Sequence, residues 1–144
     1  MLISDTPKLL KGFVHEDDRG LLSYNNDLDL SEFKRIYTIE NSPDQPFRGW
    51  HGHQFESKIF ITLRGKIRFG AVRVEDWEQP DKSTNPIFAD LGERQLDAFF
   101  VPGGYANGIL ALLNGSTALV LSSSSLKESE NDDYRFPVAT WSLI

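Results

Sequence analysis

Short runs of apolar or alternating residues recur along the chain, and Gly, Pro, Asn and Asp separate them. The clearest runs are residues 33–39, 58–63, 66–74, 98–101, 109–113 and 117–121. Their β-branched and aromatic residues favour strands, while the intervening residues favour turns. The pattern predicts an all-β sandwich or barrel. Helices are expected to be short, with one near residues 30–33 and another near the end of the chain.

The segment 66–74 has the clearest alternation. Its apolar residues fall into two phases, with Ile67, Phe69 and Ala71 in one and Val72 and Val74 in the other. Alternate residues of a strand point to opposite faces, so only one phase would face a given core. Gly70 stands close to the change of phase, and we therefore expect a β-bulge there.

Size and composition predict a single domain that spans residues 1–144. The chain has 144 residues, of which 40% are hydrophobic and 12% aromatic, which is enough apolar material for one core. Residues 75–88 are rich in Pro, Asp, Ser and Asn. We interpret them as a long exposed loop within this domain, because too little chain lies on either side for two cores.

Charge and residue content exclude several classes of function. The net charge is −6 and the pI is about 5.0, which argues against nucleic acid or a membrane surface as a partner, since both are anionic. The absence of cysteine excludes disulfides and thiolate chemistry. Residues 1–5 lack the basic region and apolar core of a signal peptide, and no apolar run approaches the length of a membrane span. We therefore expect a cytoplasmic protein.

The segment 48–53 reads Arg-Gly-Trp-His-Gly-His and holds two of the three histidines of the chain. His51 and His53 are two positions apart, so in an extended strand both imidazoles would lie on one face. Two imidazoles beside the Arg48 guanidinium could either bind a metal or move protons.

The rest of the sequence favours proton transfer over metal binding. A metal-binding double-stranded β-helix, or cupin, adds to its His-x-His a glutamate ahead of a turn glycine and a last histidine in a Pro-x-Gly-x-x-His turn. Here Lys58 occupies the glutamate position ahead of Gly65, and Asn107 occupies the last histidine position. An ammonium group repels a divalent cation, and an amide replaces imidazole poorly. Glu56, reaching in through a bulge, is the remaining route to a metal. We predict no metal and no cofactor.

Three motifs, in this order and spacing, resemble those of one enzyme group. Segment 17–22 is similar to an N-terminal Asp-x-Arg-Gly motif, and segment 48–51 is similar to an Arg-Gly-x-His strand. Lys58 with Gly65, followed by segment 100–108, is similar to a catalytic lysine and a Pro-x-Gly-x-x-His-Gly turn. The group is that of the dTDP-4-dehydrorhamnose 3,5-epimerases and dTDP-sugar 3,4-ketoisomerases. The resemblance implies a metal-free, double-stranded β-helix (cupin or jelly-roll) sandwich that acts in deoxysugar biosynthesis.

The epimerase resemblance implies a role for several residues. His51 would be the base that removes a proton from the carbon next to the C4 ketone, and an imidazole suits this task because it titrates near neutrality. Lys58 would stabilise the resulting enolate. Arg19 and Arg48 would hold the diphosphate or the sugar through their guanidinium groups.

The ketoisomerase resemblance rests on other residues. It is carried by the His-x-His pair itself and by the upstream Arg-Ile-Tyr at 35–37, and it implies a catalytic role for His53 and Tyr37 beside a binding role for Arg35. Asn107, and Tyr105 in the same turn, would line the ligand pocket in either case.

Besides Asn107 in place of the last histidine, two further departures from the epimerase pattern are evident. The epimerase uses a tyrosine as proton-returning acid on the strand that corresponds to 118–122, where this chain has none, so that Tyr37, Tyr105 or Tyr134 would have to replace it. The aspartate that orients the histidine in the family lies in a Trp-x-Asp-Pro-like segment near the C-terminus. This chain has Tyr-Arg-Phe-Pro at 134–137, so that Asp132 or Asp133 would have to replace that aspartate.

These observations lead to one functional expectation with two alternatives. We expect a nucleotide-sugar epimerase that acts on a dTDP-4-keto-6-deoxyhexose by proton transfer next to the ketone. The first alternative is a 3,4-ketoisomerase of a similar substrate, and the second is a non-catalytic sugar-binding cupin. The resemblance also implies a homodimer with an exchanged N-terminal strand, which would cover open sheet edges.

Overall fold

The computed structural model describes residues 3–144. Residues 1 and 2 lie outside the described residues. They belong to the predicted domain and to the N-terminal segment 1–5, which was expected not to be a signal peptide. The strands are β1 Lys8–Leu10, β2 Phe13–Asp17, β3 Gly20–Tyr24, β4 Arg35–Glu40, β5 Phe47–His53, β6 Lys58–Arg64, β7 Lys66–Arg73, β8 Ile87–Gly92, β9 Ala98–Val101, β10 Tyr105–Ala111, β11 Thr117–Ser122 and β12 Tyr134–Arg135. A helix, α1, spans Leu126–Glu130, and a 3-10 helix spans Val138–Thr140.

Ten of these strands form two five-stranded sheets. The first sheet has the order β1-β9-β6-β11-β4, and the second has the order β12-β5-β10-β7-β8. Neighbouring strands are antiparallel in both, and β2 and β3 form a separate hairpin. This arrangement confirms the predicted all-β sandwich.

The main core lies between the two sheets, and each sheet is also covered on its outer face. The inner core contains Phe60 and Phe69, whose rings stack with their centroids 5.2 Å apart. Trp50 and Trp141 form the centre of a second cluster, in which the residues after β12 cover the second sheet. Strands β6 and β10 are therefore buried on both faces over most of their length.

The predicted bulge at Gly70 is wrong. Strand β7 pairs with β8 and β10 in continuous register through this residue, and the two phases of its apolar residues serve two cores instead. Ile67 packs between the sheets, whereas Val72 packs under the C-terminal segment. At Gly70 the Leu143 side chain packs against the backbone, in the space that a Cβ would occupy.

Other elements differ from prediction in extent. The strand predicted at 109–113 begins earlier, at Tyr105, because the preceding turn ends at Gly104, which has a positive φ of 94°. The helix predicted near 30–33 is a turn, in which the Phe33 N–H donates to the Leu30 carbonyl at 3.1 Å. The helix expected near the end corresponds to α1, which begins with a capping box at Ser125.

The N-terminal part of the chain leaves apolar surface exposed. Strand β1 pairs with β9 of the same chain, and the β2–β3 hairpin follows it. In this hairpin the relative exposure is 54% for Phe13 and 61% for Leu22. Two adjacent exposed apolar strands are typical of a surface that another chain covers.

Within residues 3–144, none of the helices has the length and apolar character needed to cross a membrane.

Candidate active site

A cavity of about 270 Å³ lies between the two sheets. Strands β4 and β6 line one wall, and β5 and β10 line the other. Seven of the residues that the sequence singled out line this cavity, namely Arg35, Tyr37, Arg48, His51, His53, Lys58 and Asn107. Antiparallel pairing explains the convergence, because β10 places Asn107 directly opposite His51 of β5.

Arg19 and Tyr105 do not line the cavity. Arg19 lies in the turn of the β2–β3 hairpin, where its guanidinium contacts the Asp17 carboxylate at 2.7 Å. Tyr105 is 4% exposed and packs in the core between the sheets. A ligand-binding role for either residue remains a prediction.

His53 has a defined tautomer. Its Nδ1 lies 2.7 Å from the main-chain carbonyl of Asp132. A carbonyl can only accept a hydrogen bond, so Nδ1 must carry the proton and Nε2 of the neutral ring must carry the lone pair. Nε2 is buried and has no hydrogen-bond partner among residues 3–144. His53 therefore presents a free base on the cavity wall.

His51 is held in its neutral form. Burial lowers its pKa to about 4, and the positive charges of Arg135, Lys58 and Arg48 act in the same direction. The Asp133 carboxylate opposes this shift. Burial also lowers the pKa of His53. Both imidazoles are thus able to accept a proton at neutral pH.

Lys58, Glu56 and Arg35 form a charge cluster in the wall of the cavity. Lys58 is 7% exposed and Glu56 is 2% exposed. The Glu56 carboxylate lies 3.6 Å from Lys58 Nζ and 3.7 Å from an Arg35 guanidinium nitrogen. The Tyr37 ring lies beside both cations, with its centroid 5.8 Å from Lys58 Nζ. The cavity wall therefore carries positive charge next to a tyrosine.

Asp132 and Asp133 have different roles. The Asp132 carboxylate accepts backbone N–H groups of Gln54, Phe55 and Glu56 at 2.6, 2.9 and 2.9 Å, so it holds the turn after β5. Asp133 lines the cavity, and hydrogen bonding to the Arg135 guanidinium holds the pKa of its carboxyl below the usual range. Asp132 orients a histidine as the sequence suggested, but it does so through its main chain and acts on His53.

Only one of the three candidate proton-returning tyrosines lines the cavity, and it is Tyr37. Tyr105 lies in the core. The Tyr134 hydroxyl accepts a hydrogen bond from Gln54 Nε2 at 2.9 Å, and its ring packs on Trp77 with centroids 4.9 Å apart. Tyr37 is the tyrosine that a ligand in this cavity can contact.

Arg135 and Glu56 belong to the site more closely than the sequence indicated. Arg135 lines the cavity and pairs with Asp133 at 3.1 Å. The sequence feature that could have identified Arg135 is its place in the charged Asp-Asp-Tyr-Arg segment after α1. The sequence suggested Glu56 only as a metal ligand, and its contact with the Lys58 ammonium is unsuited to that role. Residues 3–144 contain no group of three or more His, Cys, Asp or Glu side chains arranged for a metal ion.

Comparisons with solved structures support the fold. The QdtA 3,4-ketoisomerase from Thermoanaerobacterium thermosaccharolyticum, a double mutant in complex with TDP, has a TM-score of 0.70 and 22% identity, over 94% of this chain and 90% of that chain. A 3,4-ketoisomerase from Helicobacter canadensis has a TM-score of 0.68 and 22% identity, over 90% of each chain. The rmlC epimerase of Mycobacterium tuberculosis has a TM-score of 0.74 and 17% identity, over 96% of this chain and 72% of that chain. These likenesses confirm the predicted double-stranded β-helix (cupin) fold.

The sequence itself matches a family model. No curated protein sequence matches this chain significantly. The model described as FdtA: WxcM-like, C-terminal matches residues 5–139. Since this match covers nearly the whole sequence, the chain belongs to the FdtA, WxcM-like C-terminal family.

Proposed function

We propose that this protein is a nucleotide-sugar isomerase that converts a dTDP-4-keto-6-deoxyhexose into the 3-keto sugar without a metal. The observation that carries this proposal is the buried, unpartnered Nε2 of His53 on the same cavity wall as the neutral His51. The substrate class is supported by a mutant of the QdtA 3,4-ketoisomerase, which forms a complex with TDP-4-keto-6-deoxyglucose.

Moving a ketone from C4 to C3 requires two proton transfers. The C3–H bond breaks and a C4–H bond forms, while the O3 hydroxyl loses its proton and O4 gains one. The intermediate is an enediol, or its enediolate anion, with a C3–C4 double bond. Two neutral imidazoles side by side suit this pair of transfers, since each can take a proton and return it to the neighbouring position.

The charges around the cavity support a division of roles. His51 would remove the C3 proton and, after its own proton exchanges with solvent, deliver a proton to C4, while His53 would carry the O3 proton to O4 through Nε2. The Lys58 ammonium would stabilise the negative charge on the enediolate oxygen. Tyr37, which lies beside Lys58, would hold the sugar.

The diphosphate would bind to the guanidinium groups at the cavity. Arg35, Arg48 and Arg135 all line it, and guanidinium groups recognise phosphate oxygens through paired hydrogen bonds. Asn107 offers an amide for the sugar hydroxyls. This local positive charge is compatible with the acidic composition of the whole chain.

We also propose that the protein is a homodimer. The support is the β2–β3 hairpin, whose exposed Phe13 and Leu22 would be covered by a partner chain. Arg19 lies in the same hairpin and would come with it to the interface. An exchange of the N-terminal strand, as the sequence suggested, is one way to form such a contact.

The 3,5-epimerase expected first from the sequence is the second candidate. It is favoured by Tyr37, which lies on the wall opposite His51 and could return a proton to the other face of the sugar. Epimerisation at C5 would not need the second imidazole, however, and β11 has no tyrosine. We therefore place the ketoisomerase first.

Solvent exchange distinguishes the candidates. The protein is incubated in deuterated water with dTDP-4-keto-6-deoxyglucose, and the sugar is followed by NMR. Movement of the ketone to C3, with deuterium at C4 of the product, would support the ketoisomerase. Deuterium at both C3 and C5 with the ketone still at C4 would support the epimerase. Binding of the sugar without any exchange would contradict both and support a non-catalytic cupin.

A further inference from the structure

Glu56 is a buried carboxylate without hydrogen bonds. It is 2% exposed, and neither oxygen has a hydrogen-bond partner among residues 3–144. Taking a carboxylate out of water costs several kcal/mol, and nearby cations must offset this cost if the group is to stay ionised. The chain position of Glu56 is fixed independently, because its backbone N–H donates to the Asp132 carboxylate at 2.9 Å.

Three nitrogen groups surround the Glu56 side chain, each from a different strand. Arg35 of β4 lies at 3.7 Å, Lys58 of β6 at 3.6 Å, and His53 Nδ1 of β5 at 3.9 Å. Arg35 and Lys58 contribute their positive charge at every stage of the proposed reaction. His53 differs, because it is neutral at rest and becomes positive only when Nε2 takes a proton.

Two other acidic residues act on His53, the Asp133 carboxylate through its charge alone and Asp132 by direct contact. Its carbonyl accepts the Nδ1–H, while its carboxylate is already engaged with three backbone N–H groups. The Glu56 carboxylate has no such hydrogen bonds, so its charge acts mainly on the cations around it. Lys58 lowers the proton affinity of His53, and Glu56 opposes that effect.

We propose that Glu56 is a positioning residue whose carboxylate stabilises the imidazolium formed when His53 Nε2 takes the O3 proton of the sugar. The proton stays on Nε2 until it passes to O4, and Glu56 itself neither gains nor loses one. This inference rests on the proposed function. Because the attraction is strong only while the ring is charged, Glu56 favours the proton-loaded enzyme over the resting enzyme.

The test is a Glu56→Gln variant, which keeps the shape and removes the charge. Histidine side chains are titrated by ¹⁵N NMR in the ligand-free protein. Loss of the carboxylate leaves Arg35 and Lys58 unopposed, so the His53 titration midpoint should fall by about one pH unit or more. The matched control, Glu93→Gln, removes an exposed carboxylate from the turn after β8 and should leave the His53 midpoint unchanged.

Kinetics give a second readout that a merely structural role would not produce. In Glu56→Gln, kcat should fall by about tenfold or more, while KM should change by less than about threefold. Glu56→Asp retains the charge at a greater distance, and it should have an intermediate His53 midpoint and an intermediate kcat.

Wild-type protein provides a check that does not depend on any variant folding. The side-chain carboxyl ¹³C resonance of Glu56 should shift with the same midpoint as His53. A silent Glu56 resonance, or an unchanged His53 midpoint in Glu56→Gln, would overturn the proposal. Both measurements use ligand-free protein, so they decide the role of Glu56 even if the proposed isomerase activity proves wrong.

Discussion

The main-chain carbonyl of Asp132 accepts a hydrogen bond from His53 Nδ1 at 2.7 Å. The same residue uses its carboxylate to hold the backbone of the turn that follows His53 on the chain. One residue from the C-terminal segment thus fixes both the tautomer of the imidazole and the end of the strand that carries it. The imidazole is oriented before any ligand binds, which would reduce the reorganisation needed in the proposed proton transfer.

Removal of the Asp132 charge should destabilise the protein. In Asp132→Asn, an amide replaces a buried carboxylate that accepts three backbone N–H groups, and we expect a loss of about 2 kcal/mol or more in the free energy of unfolding. Urea denaturation followed by fluorescence measures this loss. Asp81→Asn is the control, because Asp81 also accepts a backbone N–H, from Ser83, but at the surface. Equal stability of the two variants would contradict the structural role of Asp132.

Loss of the His51 imidazole should abolish carbon proton transfer. We expect His51→Asn to lower kcat by about 100-fold or more, since an amide cannot act as a base near neutral pH. Solvent deuterium incorporation into dTDP-4-keto-6-deoxyglucose is the measurement. His15→Asn, in the exposed β2–β3 hairpin, should exchange at the wild-type rate. Normal exchange in His51→Asn would rule out the proposed role of His51.

The pH dependence of activity should reflect the low pKa of His51. With a pKa of about 4, the ring stays neutral through the physiological range. The ratio kcat/KM should therefore change little between pH 8 and about pH 6, and fall as the pH approaches 4 and the base becomes protonated. A fall centred near the ordinary histidine pKa would show that burial and the neighbouring cations do not act as inferred.

The lowered pKa of His51 also makes the stability of the protein depend on pH. The folded protein binds the His51 proton only near pH 4, whereas the unfolded chain binds it near 6.5. The unfolded state thus gains more protons as the pH falls from 6.5 towards 4, so stability is lost over that window and no further loss from this group follows below it. Urea denaturation midpoints measured at pH 7 and pH 4.5 test this. Between these two pH values the midpoint should decrease less in His51→Asn than in the wild type.

Chelation should leave the activity intact. Lys58 Nζ lies 3.6 Å from the Glu56 carboxylate, so a divalent cation at Glu56 would meet a neighbouring ammonium. We expect full activity after dialysis against EDTA, and no stoichiometric transition metal by mass spectrometry. Loss of activity that returns with one added metal would contradict the proposed metal-free mechanism.

A charge in the β2–β3 hairpin should weaken the proposed dimer. Leu22 is 61% exposed in the single chain, and Leu22→Lys would place an ammonium group in the surface that we propose to be covered. Light scattering after size exclusion should give a dimer mass for the wild type and a lower mass for the variant. Leu126→Lys, at a residue 63% exposed in α1, should remain dimeric. A monomeric wild type would contradict the proposal.

Much of the fold could be predicted from local pattern, because strand periodicity and turn residues are local properties. Strand β9 was predicted with the bounds that the structure has, and β6 and β11 within one residue. The prediction failed at Gly70, since periodicity cannot distinguish a bulge from a strand buried on both faces. That distinction depends on Leu143, which lies far along the chain and packs against this glycine.

The sequence by itself determined the sandwich and the chemical character of the site, because His51, His53 and Lys58 stand at fixed positions on two segments that are consecutive in the sequence and strand-forming. Only the tertiary structure decided the tautomer of His53 and the burial of Glu56 among three nitrogen groups. It also decided that Tyr37 lines the cavity while Tyr105 and Tyr134 do not. These properties arise from contacts such as that between Gln54 and Asp132, which are 78 positions apart. No local pattern encodes such a contact, since it forms only when the C-terminal segment packs beside β5.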